Sequence, residues 1–330
     1  MIYLQGLLNN YIRIQKSPIF PSKANYAKDL FIFLVICVLH VLPLQSEIIH
    51  VTTLEEFYTE CQTLDSESLV LFDVDGTLII PRDKILKPQA EKHLHKIVSK
   101  AWKYKHLDSC EKLDKNEFYS IVMQTMKFDL VDDKFPKIIE ELQKKNVKTL
   151  GLTAMGTGSY SRIESREEWR FEQLKDFGID FRSSFASLPK FHFLDFETKN
   201  GLPGYYKGII FSSDVPKGVI LSKFLKNIKW KPKKIIFIDD IHSFIESVDQ
   251  EIAMLEIPFK GFHYRAAYQT PIDIDEDIIS FQIDYLIKES KWLSDEQVES
   301  MTRKAPSFTK EKYKKNTSTR LEFKRYPFSD

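Results

Sequence analysis

Three short apolar runs, each ending abruptly on carboxylates or a hydroxyl, constrain this chain more than any other feature of its sequence. LVLF (69–72) stops at Asp73, VKTLGLTA (147–154) carries Thr153 near its end, and KKIIFIDD (233–240) closes on Asp239 and Asp240. Runs of this length, rich in Val, Ile, Leu and Phe and without polar alternation, suit strands buried on both faces. Helical stretches, PKIIEELQKKN and KGVILSKFLKN, precede the second and third runs. Strands alternating with helices predict an α/β fold, a parallel sheet flanked by crossover helices. In such sheets ligands gather at the carboxyl ends of the strands, where Asp73, Asp75, Thr153, Asp239 and Asp240 all fall.

Charge and composition exclude several functions. The chain of 330 residues holds 48 basic against 47 acidic side chains, so it has no bulk charge with which to grip a nucleic acid, and none is expected as a partner. Its ends differ from its body. Arg13, Lys16, Lys23 and Lys28 precede LFIFLVICVLHVLPL (30–44), which Pro43 interrupts before Ser46. A basic segment followed by about 15 apolar residues resembles a cleaved export signal; a bilayer-spanning helix takes about 20. Residues 1–46 are therefore expected to direct export to the periplasm, envelope or exterior, with an inner-membrane anchor or a buried core segment as alternatives. From 300 to 330, nine basic residues face Glu311, Glu322 and Asp330, which reads as a solvated tail able to touch an anionic membrane peripherally. Cys61 and Cys110 would remain after cleavage; a disulfide and two free thiols are both open readings, because spacing does not set their distance.

The residues after the first run, FDVDGTLI, match the first motif of the haloacid dehalogenase-like (HAD) hydrolase superfamily, and the order of Thr153, Lys217 and Asp239 with Asp240 after it is similar to that family's later motifs. The phrases GIIFSSDVPKGVIL, IIFIDD and FKGFHYRAAY further resemble a little-characterised branch known from intracellular bacteria. The resemblance implies a Rossmann-like HAD core acting as a magnesium-dependent phosphatase. In it Asp73 attacks phosphorus to form an aspartyl-phosphate, and Asp75 protonates the leaving oxygen and then activates water. Thr153 and Lys217 would bind the phosphoryl group. Asp73, Val74 through its carbonyl, Asp75, Asp239 and Asp240 would make up the Mg²⁺ site, an all-oxygen set that suits a hard cation. The substrate would be a phosphorylated small molecule or a phosphoprotein, the latter reached by export to a host. A non-catalytic HAD scaffold binding a membrane or partner through the basic tail is the remaining alternative.

About 70 residues separate Thr77 from Thr149, and their helical pattern predicts a small cap near 82–132 within a hydrolase domain spanning 47–299. Trp102, Tyr104, Phe118 and Tyr119 are its candidate specificity residues, or simply its core. Residues 191–211 are expected to form a hairpin or lid near the site with Tyr205 and Tyr206 at its turn. Asp132 and Asp133 read as a solvated helix start, His93 and His95 as surface residues, and His263 as an ordinary packed or exposed histidine.

Overall fold

The computed structural model describes residues 46–105 and 115–304. An eight-stranded sheet organises them. In chain order its strands are β1 (Glu47–Val51), β2 (Ser68–Phe72), β5 (Lys148–Thr153), β6 (Phe191–His192), β7 (Gly204–Tyr206), β8 (Ile209–Phe211), β9 (Lys234–Asp239) and β10 (Phe259–Tyr264). A separate two-stranded antiparallel sheet is formed by β3 (Ile79–Pro81) and β4 (Phe128–Leu130). The sheet order is β1-β10-β9-β2-β5-β8-β7-β6; the first six strands are parallel, and the β6–β7 extension runs antiparallel. This is the mostly parallel α/β sheet that the apolar runs predict.

Alternation along the strands divides the core into two layers. Val70, Phe72, Ile236, Ile238 and Phe262 face one side, where they meet Phe57 of α1 (Glu55–Gln62), Phe135 and Ile139 of α4 (Phe135–Lys144), and Phe171 of α5 (Arg166–Asp176). Leu69, Leu71, Leu150, Leu152, Ile235 and Phe237 face the other, against Leu221 and Phe224 of α6 (Lys217–Asn227) and Ile245 and Val248 of α7 (His242–Ala253). Each such side chain taken fully from water contributes roughly 1.5–3 kcal/mol, so β2, buried at all five positions, is fixed in the centre. Gly218 lets α6 and α7 approach: a Cβ there would lie 1.9 Å from the Ser247 carbonyl oxygen. That close approach sets the height of Lys217, the neighbouring residue at the start of α6.

The β3–β4 pair is the stem of a helical insertion containing α2 (Glu91–Lys105) and α3 (Lys115–Thr125). The insertion does not make its own core. Ile85, Val98, Phe118, Ile121 and Val122 pack with Ile279, Ile283 and Leu286 of α8 (Glu276–Glu289) and with Trp292. The helix α9 (Asp295–Lys304) follows, so 300–304 are helical rather than the beginning of a tail. The rest of the basic segment, Cys110 and the N-terminal apolar run lie outside the described residues. No described helix is long and apolar enough to cross a membrane.

Candidate functional site

The geometry of the site follows from where the central strands stop. The Asp73 amide donates to the Ile238 carbonyl at 3.0 Å, extending the β2–β9 pairing by one residue. Asp73 therefore ends beside Asp239. Between them Lys217, 1% exposed, places its Nζ 2.5 Å from Asp73 Oδ1 and 2.7 Å from Asp239 Oδ2. The second oxygen of Asp239 accepts the Ile241 amide at 2.7 Å, which turns the chain into α7. Asp240 is held by the Tyr268 hydroxyl at 2.6 Å on Oδ2, while its carbonyl accepts His263 Nε2 and Arg265 Nη1, each at 3.0 Å. Gly76, at φ +88°, passes directly behind this carboxylate: a Cβ would come within 2.5 Å of Asp240 Oδ2. Only glycine combines that left-handed backbone with that clearance.

Ligand atoms of Asp73, Asp239 and Asp240 lie within 4.8 Å of one another, and all three residues are buried. Two of these carboxylates share one ammonium group, and the third stands beside them bonded by Tyr268. Burial pushes the Asp73 carboxyl above its ordinary range despite Lys217, and pushes Asp239 well above it. Burial, then the Asp73 charge, raises Asp240 to about 7. Burial also works against the Lys217 charge, but Asp239 and Asp73 outweigh it and hold the lysine above its usual value. These shifts express one imbalance, an excess of buried negative charge. An all-oxygen set of carboxylates with that excess fits a hard divalent cation.

Thr153 ends β5, next to β2 on the side away from β9. Its carbonyl accepts the Ser212 amide at 2.9 Å, and its Oγ1 accepts the Met155 amide at 3.2 Å, which leaves the hydroxyl proton to donate. Two expected ligands depart from this group. The Val74 carbonyl accepts the amides of Leu78 and Ile79, both at 3.0 Å, so its two lone pairs already serve the turn. Asp75 stands outside the three-carboxylate cluster, and Arg170 Nη2 engages its Oδ1 at 2.6 Å. The carboxylates close enough together to hold a metal ion are therefore Asp73, Asp239 and Asp240.

Sequence reasoning missed Arg170, which is 1% exposed yet stands in REEWRFEQLKD, where it reads as one surface charge among many. Within the 191–211 stretch expected near the site, the part that meets the segment leading to Lys217 is the loop at 195–203. There Asp214 accepts the Lys199 and Asn200 amides at 2.9 and 3.2 Å, and Ser213 Oγ donates to the Gly201 carbonyl at 2.6 Å. Those bonds fasten the loop to the segment between β8 and Lys217. Tyr205 and Tyr206 are not part of that approach: the turn that follows them, at Lys207 and Gly208, lies at the amino end of β8, the opposite edge of the sheet. Tyr205 packs on Phe191 and Phe224, and Tyr206 bonds Glu168.

Phe118 and Tyr119 sit in or against the insertion core; the side chains of Trp102 and Tyr104 lie outside the described residues. Asp132 accepts the Lys134 amide at 2.9 Å at the approach to α4. His93 and His95 are exposed beside Glu276 and Glu91. His263, in register with Asp239, contacts the site through the Asp240 carbonyl and also meets His50, with Nδ1 atoms 2.7 Å apart. Cys61 is buried, and burial pushes its thiol up to about 12. A cavity of about 560 Å³ opens elsewhere, lined by Gln143, Arg182, Lys190, Tyr206 and Lys207. Its cations are already paired, with Asp180, Glu167 and Glu168.

Comparison with known proteins gives a family without an assigned activity. The model of a protein family of unknown function (DUF2608) matches residues 50–299. An uncharacterized protein of Rickettsia prowazekii (strain Madrid E) is 25% identical over 241 residues, covering 73% of this chain and 85% of that protein. Another, from Rickettsia bellii (strain RML369-C), is 26% identical over 211 residues, covering 61% and 69%. Among solved structures, a haloacid dehalogenase-like family hydrolase from Streptococcus pneumoniae matches 59% of this chain and 94% of its own, at 13% identity and a TM-score of 0.29. That likeness is too slight to bear on function.

Proposed function

The chain belongs to the DUF2608 family of proteins of unknown function, and we propose that it is a magnesium-dependent phosphoric monoester hydrolase working through Asp73. The observation that carries this reading is the buried group of Asp73, Asp239 and Asp240 around Lys217 at the carboxyl ends of adjacent parallel strands. The DVDGT motif, and its resemblance to the HAD hydrolases, supports the same chemistry.

Asp73 is the nucleophile. Its carboxylate oxygen forms a bond to phosphorus as the ester P–O bond breaks, and Asp75 gives its proton to the departing alkoxide or phenoxide. Asp75 then takes a proton from water, whose oxygen attacks the same phosphorus and releases Asp73 and inorganic phosphate. Lys217 holds Asp73 and Asp239 at fixed distances, and its charge opposes the upward push that burial gives the Asp73 carboxyl. The Thr153 hydroxyl donates to a phosphoryl oxygen, a bond that strengthens as charge builds in the transition state. Asp73, Asp239 and Asp240 would hold Mg²⁺, which would supply positive charge to offset the phosphoryl group and the neighbouring carboxylates.

The test is hydrolysis of an aryl phosphate by the full chain, with magnesium or with chelator, alongside Asp73→Asn. Turnover is expected only with magnesium, and the variant is expected to lose at least about a thousand-fold in kcat. Turnover that survives either change would overturn the assignment.

A further inference from the structure

We propose that Arg170 is the positioning residue for the general acid Asp75; the inference rests on the phosphatase reading above and adds a residue that the motif does not contain. Four observations carry it. The guanidinium is buried, with its side chain 2% exposed, whereas the Asp75 side chain is 49% exposed, so a fixed group holds a group that faces the open side of the site. Nη2 reaches Asp75 Oδ1 at 2.6 Å, and Nη1 reaches Gln173 Oε1 at 3.0 Å. The plane of the fork is set by aromatic neighbours: its central carbon lies 4.9 Å from the Trp169 ring and 5.6 Å from that of Phe128. Finally, Arg170 Nε is buried with no hydrogen-bond partner among the described residues. A buried donor left unmade costs about 1–3 kcal/mol; the fold tolerates this and keeps the fork on Asp75.

An aspartate in a glycine-containing turn has freedom to rotate, and a general acid works only when its oxygen is within hydrogen-bond reach of the leaving group. Arg170 binds one carboxylate oxygen and leaves the other for the substrate. Its link to Phe128, the first residue of β4, ties the acid to the stem of the helical insertion as well as to the core helix α5. Arg170 touches no reacting atom, so its effect must appear where proton donation matters most.

That gives the experiment. The full-length protein and its Arg170→Met, Arg170→Lys and Asp75→Asn variants are assayed on dinitrophenyl phosphate, whose leaving group needs no proton, and on phenyl phosphate, whose leaving group does. Positioning predicts that Arg170→Met loses about ten-fold or more in kcat on the phenyl ester than it loses on the dinitrophenyl ester. Asp75→Asn should show the same selectivity, and Arg170→Lys, which keeps a charge but not the fork, should recover part of the difference. Equal losses on both esters would overturn the proposal and leave Arg170 a structural residue, as would unchanged rates. Failure of Arg170→Met to fold would shift the decision to Arg170→Lys, where the same selective loss supports positioning and its absence refutes it. If the unsubstituted protein turns over neither ester, the phosphatase reading itself falls, and the positioning role falls with it.

Discussion

Two of the places where the described residues bury carboxylates are treated by the fold in opposite ways. Asp83, at the insertion, accepts Trp292 Nε1 at 2.8 Å and the Asp295 amide at 2.9 Å. Asp295 in turn accepts the Lys84 amide at 2.9 Å and Gln282 Nε2 at 2.8 Å. Burial raises the Asp83 carboxyl, and those donors draw it back in part. Every bond in this clasp ties one piece of chain to another, so the carboxylate is spent on structure. At the end of the sheet, by contrast, Asp73 and Asp239 share one lysine, and Asp240 beside them is bonded at its carboxylate by the neutral Tyr268 hydroxyl, so the carboxylates outnumber the ammonium groups bonded to them. The difference teaches how two kinds of buried acid are told apart: one joins distant segments through its bonds, and the other sits in a compact group of carboxylates that could hold a cation.

Removing the shared cation should break this contrast most sharply. Lys217→Met leaves three buried carboxylates facing one another, and stripping one partner from a buried ion pair costs about 3–5 kcal/mol. Urea unfolding in chelator should show that loss, with magnesium restoring a large part of it; a variant as stable as the parent in chelator would mean that the acids are already neutral. The pH dependence of the metal-free protein comes next. Because Asp240 titrates at about 7 in the folded chain against an ordinary 3.8, the folded state holds a proton through that window that the unfolded state has released. Stability must therefore fall as pH rises from about 4 to 7 and level off above. A three-unit shift corresponds to roughly 4 kcal/mol, and on the order of 2 kcal/mol is expected once the proton is shared among the acids. Thermal melts in chelator should show this slope, and magnesium should flatten it. The clasp supplies the smallest effect and the control. Asp83→Ala orphans the Trp292 and Asp295 donors at a cost of about 1–3 kcal/mol, and the stabilisation by magnesium should match that of the parent protein. A changed magnesium response would mean that the two regions are not independent.

How much of this was legible in the sequence depends on the range of the interactions. The ends of β2, β5 and β9 show as apolar runs closing on polar residues, and Lys217 shows as the opening of a helix, because those signals are local. The two hydrogen bonds that the Val74 carbonyl accepts from the turn at Leu78 and Ile79 are not displayed by the motif. Arg170 was invisible for a different reason: its burial comes from Phe128 and Trp169 closing over a helix face that reads as charged. Tyr205 and Tyr206 were placed at the site because a hairpin was expected there, but the β7–β8 turn falls at the opposite edge of the sheet. The partnership of α8 with the insertion left no trace, since neither segment carries a pattern that names the other.

That last partnership governs the order in which the molecule can be built. The insertion emerges from a ribosome early, between the first and second strands of the site, yet Ile279, Ile283, Leu286 and Trp292, which complete its apolar core, are among the last described residues to be made. Contacts so distant along the chain must wait for the loop between them to close. During synthesis α2 and α3 therefore remain without their packing partner while β2, β5 and β9 already have theirs. The end of the sheet that carries Asp73 and Asp239 can assemble first, and the structure beside it matures only as translation finishes.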